Sequence, residues 1–349
     1  MKKPSSSSSS SLPNRWQEIE RQTTAKAHNA EVRDLKEQIE RYQQTIEELD
    51  AQIDVLSLLK EQAPLRGTYA IPPRKAGRSE ATAVLVCSDW HVEETVDSNT
   101  VSSLNEFNLD VADRRIERLT QSALRLTEIE RGGVDIPVLV LAVLGDLMTG
   151  YIHEELREEN SLSPTQCILW LRERLGKMIR TLREKGGFEE IVIPCSIGNH
   201  GRTTVKPRHS TAYKNSYEWL LYKLFAQELT DGVTWVVGES YHTYLNVYDK
   251  TFRLHHGDGL RYQGGVGGLT IPVEKAIAAW NKGRVADLDI FGHWHQSQQN
   301  PKWISNGSLI GFNAYAVAIK ASYEPPQQTY FLFDKKRGRT GTWPIFLED

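Results

Sequence analysis

The chain has 349 residues, 39% of them hydrophobic and 25% charged, the ordinary composition of about two globular domains or one large domain with an appendage. Its 42 Lys and Arg stand against 45 Asp and Glu, a net charge of -3, so any attraction to a polyanion must come from a local patch. Nine Trp and thirteen Tyr argue against a mostly disordered chain, and no apolar run approaches the roughly 18 to 20 residues of a membrane helix.

Met1-Lys2-Lys3-Pro4 runs into Ser5 to Ser11 and not into an apolar segment, so no secretory signal is read. Cys87, Cys167 and Cys195 show no CxxC spacing and cannot form a disulfide framework; a reducing, cytoplasmic setting is expected. Residues 1–24 are expected to be disordered, because a Ser-rich stretch buries almost nothing. Over 25–62 a helix is expected. Val32, Leu35, Ile39, Tyr42, Ile46, Leu49, Ile53 and Leu56 alternate steps of three and four, with Val or Ile at the a positions. That pattern favours a parallel two-stranded coiled coil, hence a homodimer. Pro64, Gly67, Pro72, Pro73 and Gly77 among basic residues mark 63–81 as a linker.

From residue 82 to the end at 349, short apolar runs alternate with amphipathic stretches, which predicts an α/β catalytic domain. The runs are 83–88, 137–144, 191–197, 251–255 and 287–291; the helical stretches are 110–130, 164–185 and 215–229. Beyond about 301 the turn signals Asn306-Gly307, Pro325-Pro326 and Arg337-Gly338 predict closing strands. Cys87 and Cys195 lie inside strand-like runs and read as small buried apolar residues.

Each apolar run ends in potential metal ligands. In order these are Asp89 and His91, Gly145-Asp146, Gly198-Asn199-His200, His255-His256-Gly257-Asp258, and Gly292-His293-Trp294-His295. Alone, an Asp-x-His is uninformative; five strand ends in succession are not, because loops leaving the carboxyl ends of strands meet along one edge of a sheet. Six of the ten histidines fall in these places, five of them (His91, His200, His256, His293, His295) as candidate site residues, with His255 beside them. The donors are oxygen and nitrogen without thiolate, which suits Mn, Fe, Zn or Ni. Seven candidate ligands exceed the needs of one tetrahedral ion, so two ions sharing a carboxylate is the economical arrangement.

This ordered set resembles the calcineurin-like metallophosphoesterase superfamily over about residues 82–312, and in character the DNA-repair nuclease branch. The resemblance implies a four-layer αββα sandwich. It implies one divalent ion on Asp89, His91, Asp146 and His295, and a second on Asp146, Asn199, His256 and His293, with manganese the first choice. It also implies that His200 is catalytic, contacting the phosphate and protonating the leaving group, while a hydroxide bridging the ions attacks phosphorus in line. Gly201 departs from the pattern, which usually has an acid there to orient the histidine; Asp97 and Glu154 are open as substitutes.

The substrate is read from the residues that follow. Arg202, Lys206, Arg208 and Lys214 in a chain of negative net charge suggest a phosphate-backbone track, and Tyr213 and Tyr217 could stack on unpaired bases. A solvated loop is the alternative. Lys335-Lys336-Arg337-Gly338-Arg339 reads as a hairpin turn, Gly264-Gly265-Val266-Gly267-Gly268 as a loop before a helix starting near Thr270-Ile271-Pro272, and Glu154 to Glu159 as a solvated acidic stretch. The expected activity is a metal-dependent phosphodiesterase, a nuclease acting on DNA. A phosphomonoesterase for nucleotides or phosphoproteins, and a non-catalytic metal-stabilised scaffold, are the alternatives.

Overall fold

The structure is a computed structural model that describes residues 79–261 and 268–348, the strand 68–71, and residues 20–21, 32–33, 35–43 and 46. The chain divides into two units, 1–66 and 67–349. In the first, the described residues are all helical. Glu20 and Arg21 lie in the stretch expected to be disordered, whose remainder is outside the described residues. Leu35, Ile39, Tyr42 and Ile46, four of the heptad positions, are exposed. Leu49, Ile53 and Leu56 are outside the described residues.

The second unit begins with a departure from the expected linker. β1 (Thr68–Ile71) is a strand, and β2 (Glu80–Cys87) follows after residues outside the description. Thr-Tyr-Ala-Ile is a β-favouring sequence, and it pairs parallel with β6 (Thr243–Val247) at the edge of a sheet. The remaining strands are β3 (Asp135–Val143), β4 (Glu190–Cys195), β5 (Val233–Val237), β7 (Lys250–Leu254), β8 (Leu288–Phe291), β9 (Gln298–Asn300), β10 (Trp303–Ser305), β11 (Gln327–Asp334) and β12 (Gly338–Phe346). They form two six-stranded sheets, ordered β12-β11-β2-β3-β4-β5 and β1-β6-β7-β8-β10-β9.

The layering follows from which side chains each strand buries. Strands β2 and β3 are apolar along nearly their whole length because both faces of the first sheet are covered. Val84, Val86, Val140, Ala142 and Val192 point from that sheet toward Leu245, Phe252, Leu254 and Ile290 of the second, making the core between the sheets. The opposite faces of β2 to β4 present Leu85, Leu139, Leu141 and Ile193 to a helical layer. That layer comprises α1 (Leu109–Arg131), α2 (Pro164–Lys185) and α3 (Tyr217–Glu228). On the far side of the second sheet, Val273 and Ile277 of α4 (Thr270–Trp280) pack with Phe291 and Trp303. Helix, sheet, sheet, helix: the fold is a four-layer αββα sandwich.

Local chemistry sets the helix starts. Asn108 accepts from Val111 N at 3.0 Å to begin α1, and Ser163 with Gln166 forms a capping box at α2, with Pro164 in the first turn. The α1 residues Val111, Ala112, Ile116, Leu119 and Ala123 recur on one face and bury it. At the β11–β12 hairpin, Asp334 accepts from the amides of Lys336 and Arg337, and Gly338 takes φ 74°, so the basic cluster is the expected turn. Gly264, Gly265, Val266 and Gly267 lie outside the described residues. Cys87, Cys167 and Cys195 are free and buried. Among the described residues no helix is long and apolar enough to cross a membrane.

Candidate metal centre

Strands β2, β3 and β4 run parallel with Cys87, Val143 and Cys195 in register at their carboxyl ends; β7 and β8 run parallel with Leu254 opposite Ile290. The loops leaving these five ends carry the proposed ligands to one edge of the sandwich. They are sewn together by backbone hydrogen bonds. Asp89 N donates to Gly145 O at 3.0 Å, Trp90 N to Asp146 O at 2.8 Å, and Gly292 N to His256 O at 2.8 Å. The two sheets are joined at the same edge, where the Asp89 carboxylate accepts from His293 N at 2.9 Å.

Five of the eight site residues have left-handed backbone: Asp89 (φ 56°), His91 (46°), Asp146 (50°), His293 (70°) and His295 (52°). Non-glycine residues seldom adopt this region, and Asp and His tolerate it better than most. The loops reverse sharply at the ligands themselves, and the backbone strain is held by the surrounding hydrogen bonds. Gly145 (φ 85°) is required before Asp146, since a Cβ there would lie 2.2 Å from Gly198 N.

The expected residues converge. Asp89, His91 and His295 form one group, Asp146, His256 and His293 a second, and His91, Asp146 and His200 a third between them; within each, potential ligand atoms lie within 4.8 Å of one another. Asp89, His91, Asp146 and His256 are buried and form the floor, while Asn199, His200, His293 and His295 are half-buried at the rim. His255 goes elsewhere. Its ring stacks on Phe291 (5.1 Å between centroids) and meets Trp280 on the opposite side of the sheet, so only one of the consecutive histidines enters the centre.

The donor set fits a cation. His256 Nδ1 faces Leu144 O at 2.8 Å, which places the proton there and leaves a lone pair on Nε2. That Nε2 faces Asp146 Oδ2 at 2.8 Å, Asn199 Oδ1 at 3.1 Å and His293 Nδ1 at 3.3 Å. Four acceptor atoms pointing at one another need a positive charge between them. His91 shows the same need: Nδ1 meets Thr149 Oγ1 at 3.2 Å, and the buried Nε2 has no hydrogen-bond partner. Without an ion, burial works against charge on His256, but the Asp146 carboxylate outweighs it and holds the imidazole well above its ordinary range. Burial likewise opposes ionisation of Asp146, yet His256 and His200 keep it well below the usual carboxylate range. Burial and the neighbouring His256 push His293 down to about 4, keeping its ring a neutral donor of electrons.

His200 is oriented by neither acid considered from the sequence. Asp97 caps a short turn through Asn99 N at 2.9 Å, and Glu154 is exposed. Instead His200 Nδ1 lies 2.9 Å from Thr149 O, and the His91 ring packs edge-on at 4.7 Å. Thr149 thus serves two histidines, one through its hydroxyl and one through its carbonyl. Sequence reading missed it, together with Glu93, whose Oε1 accepts from Thr149 N and Gly150 N, and Gln328, which clamps Ser88 and Trp90 from β11. Glu93 and Thr149 lie two and three residues beyond His91 and Asp146 but are not ligand types at ligand spacing, and Gln328 is remote from every motif; His153, 6.5 Å from the His200 ring, was visible only as one more histidine.

The three proposed substrate residues separate. Arg202 donates to the carbonyls of Asn199 (2.7 Å) and Thr204 (3.1 Å), so its guanidinium shapes the loop. Lys206 and Arg208 are exposed on the excursion 203–215, which is closed at its base by Thr203 N to Asn215 O and Tyr217 N to Gly201 O, both 2.9 Å. Tyr213 packs on Trp219 at 5.4 Å, with Lys214 over its ring.

No protein-family profile and no curated protein matches this sequence. Among solved structures, a hypothetical protein of Pyrococcus horikoshii is similar at 12% identity and TM-score 0.36, over 77% of this chain and 89% of that one. A dimetal phosphatase of Danio rerio is similar at 11% and 0.35, over 76% and 99%. Vps29 of Chaetomium thermophilum is similar at 10% and 0.31, over 72% and 84%. At these distances no property of those proteins transfers to this chain.

Proposed function

We propose that the chain is a two-metal phosphodiesterase that hydrolyses DNA. The observation that carries the metal-dependent reading is the meeting of Asp146, Asn199, His256 and His293 lone pairs at one point, beside a second group that shares Asp146 through His91. Asp89, His91, Asp146 and His295 would hold one divalent ion, and Asp146, Asn199, His256 and His293 the other. When bound, such ions polarise the phosphoryl oxygens and make an attacking water nucleophilic near neutral pH.

The chain's own residues supply the rest. The buried floor fixes the carboxylates, so little reorganisation is needed as charge develops. His200, whose Nδ1–H donates to Thr149 O, presents Nε2 to the centre; burial lowers its pKa and Asp146 only partly counters, so the cationic minority form would give the proton to the departing oxygen. Lys206 and Arg208, exposed just downstream of Asn199 and His200, suit a chain of phosphates better than a single one. Manganese remains our choice of ion, and pairing of the heptad helices would bring two such centres to one substrate.

A parallel Mn2+ assay on single-stranded DNA, duplex DNA, a small synthetic phosphodiester and a small phosphomonoester tests this reading. Faster turnover of DNA and the diester is expected. Preference for the monoester would move the assignment to a phosphomonoesterase, and ion uptake with no turnover would make the chain a scaffold.

A further inference from the structure

Glu218 lies in the first turn of α3 and is fully buried, with its carboxylate directed at the underside of the centre and not at solvent. Its Oε1 accepts from Leu147 N at 2.7 Å, and its Oε2 from Gly198 N at 2.7 Å. Leu147 directly follows Asp146, and Gly198 directly precedes Asn199. One carboxylate therefore ties the loop after β3 to the loop after β4. The tie is tight: a Cβ on Gly198 would fall 2.0 Å from Asp146 Oδ1, and His200 N donates to that same oxygen at 2.8 Å. Burial and the neighbouring Asp146 push the Glu218 carboxyl up to about 8, against the pull of the Gly198 and Leu147 amides and the helix N-terminus.

Gly201 supplies the other half of the observation. A Cβ at that position would sit 2.8 Å from Glu218 Cγ and 3.2 Å from its carboxyl carbon. Gly201 has no positive φ, so its backbone would accept a side chain; the Glu218 side chain occupies the space. A short carboxylate grown from 201 would enter the same volume, toward the same two amides.

We propose that Glu218 is the positioning residue of this centre, locking Asp146 and Asn199 into one ligand geometry, and that Gly201 is the gap that admits it, so that the carboxylate can come from either position. The proposal rests on the two-metal reading. It does not place Glu218 on the ions; it acts through the backbone of the ligand loops. Such supporting groups typically account for about 10- to 100-fold in metal affinity.

The test uses the full chain and Mn2+ alone. Calorimetric titration and ion counting are applied to wild type, Glu218→Ala, Glu218→Gln and the double variant Glu218→Ala with Gly201→Asp, with Tm in EDTA recorded for each. Glu218→Ala and Glu218→Gln are expected to bind Mn2+ about 10- to 100-fold more weakly, while Tm in EDTA stays within a few degrees of wild type. The double variant is expected to regain most of the lost affinity. Unchanged affinity in both single variants overturns the proposal, as does a double variant no better than Glu218→Ala. If losses in affinity simply track a collapse of Tm in EDTA, the role is structural and the proposal also fails. A wild-type chain that takes up no Mn2+ would sink the two-metal reading itself, a separate result.

Discussion

Asp146 is the residue on which the two groups of ligands converge, and its chemistry fixes what its replacement should do. Asp146→Asn keeps the shape and one acceptor oxygen but removes the charge that His256 and His91 face across the centre. Hydrolysis should vanish and bound divalent ion fall, with far-UV circular dichroism unchanged; full activity would contradict the shared role. His200 should behave differently. Its Nδ1 is satisfied by a carbonyl, so His200→Ala should lower kcat by about 10^2- to 10^4-fold while ion counting by mass spectrometry stays at the wild-type value. Away from the centre, burial with His255 and Arg253 nearby depresses His242 to about 3 from an ordinary value near 6.5, and Asp289 only partly counters them. The unfolded chain therefore binds this proton first. The stabilisation is complete above about pH 6.5 and is lost as pH falls toward 3. In EDTA, His242→Gln should flatten the fall of Tm across that window; an unchanged slope would remove His242 from the acid sensitivity.

At the scale of elements, the loops are the fragile parts and the helices the robust ones. Gly145→Ala forces a side chain into left-handed backbone and against Gly198, so it should weaken both Mn2+ uptake and folding. Ser163→Ala removes the α2 cap far along the chain from any ligand. It should lower stability by about 0.5–2 kcal/mol in urea titration and leave Mn2+ affinity unchanged. The same contrast explains what could be read from sequence. Runs 83–88, 137–144 and 191–197 are the interior strands β2, β3 and β4, apolar because both faces are covered. β1 escaped notice because it is four residues at a sheet edge, inside Pro-rich surroundings; β5 and β6 are short and half-buried. The ligands were legible because each follows a strand end within two to four residues. Glu218, Thr149 and Gln328 were not, since what makes them matter is a backbone amide or ring far away in sequence.

At the scale of the whole molecule, the open matter is what residues 1–62 do. Leu35, Ile39, Tyr42 and Ile46 advance by four, three and four, and each is about half or more exposed on a helix. An apolar stripe of that spacing stabilises a helix only when something covers it, and a second copy in parallel is the partner its a and d residues favour. The candidate ligands come from residues 89–295, and the sheets begin at Thr68. Where the chain is cut therefore matters. Removal of residues 1–62 keeps β1, which pairs with β6; removal of 1–75 would strip that edge. Light scattering should report a dimer for the full chain and a monomer for the chain beginning at residue 63, and the shorter chain should retain its rate on the small phosphodiester. Ile39→Lys with Ile46→Lys in the full chain should give the monomer too, by burying charge in the seam. A truncated chain that is still dimeric would assign the contact to the sandwich, and a monomeric full chain would leave the heptads to another protein.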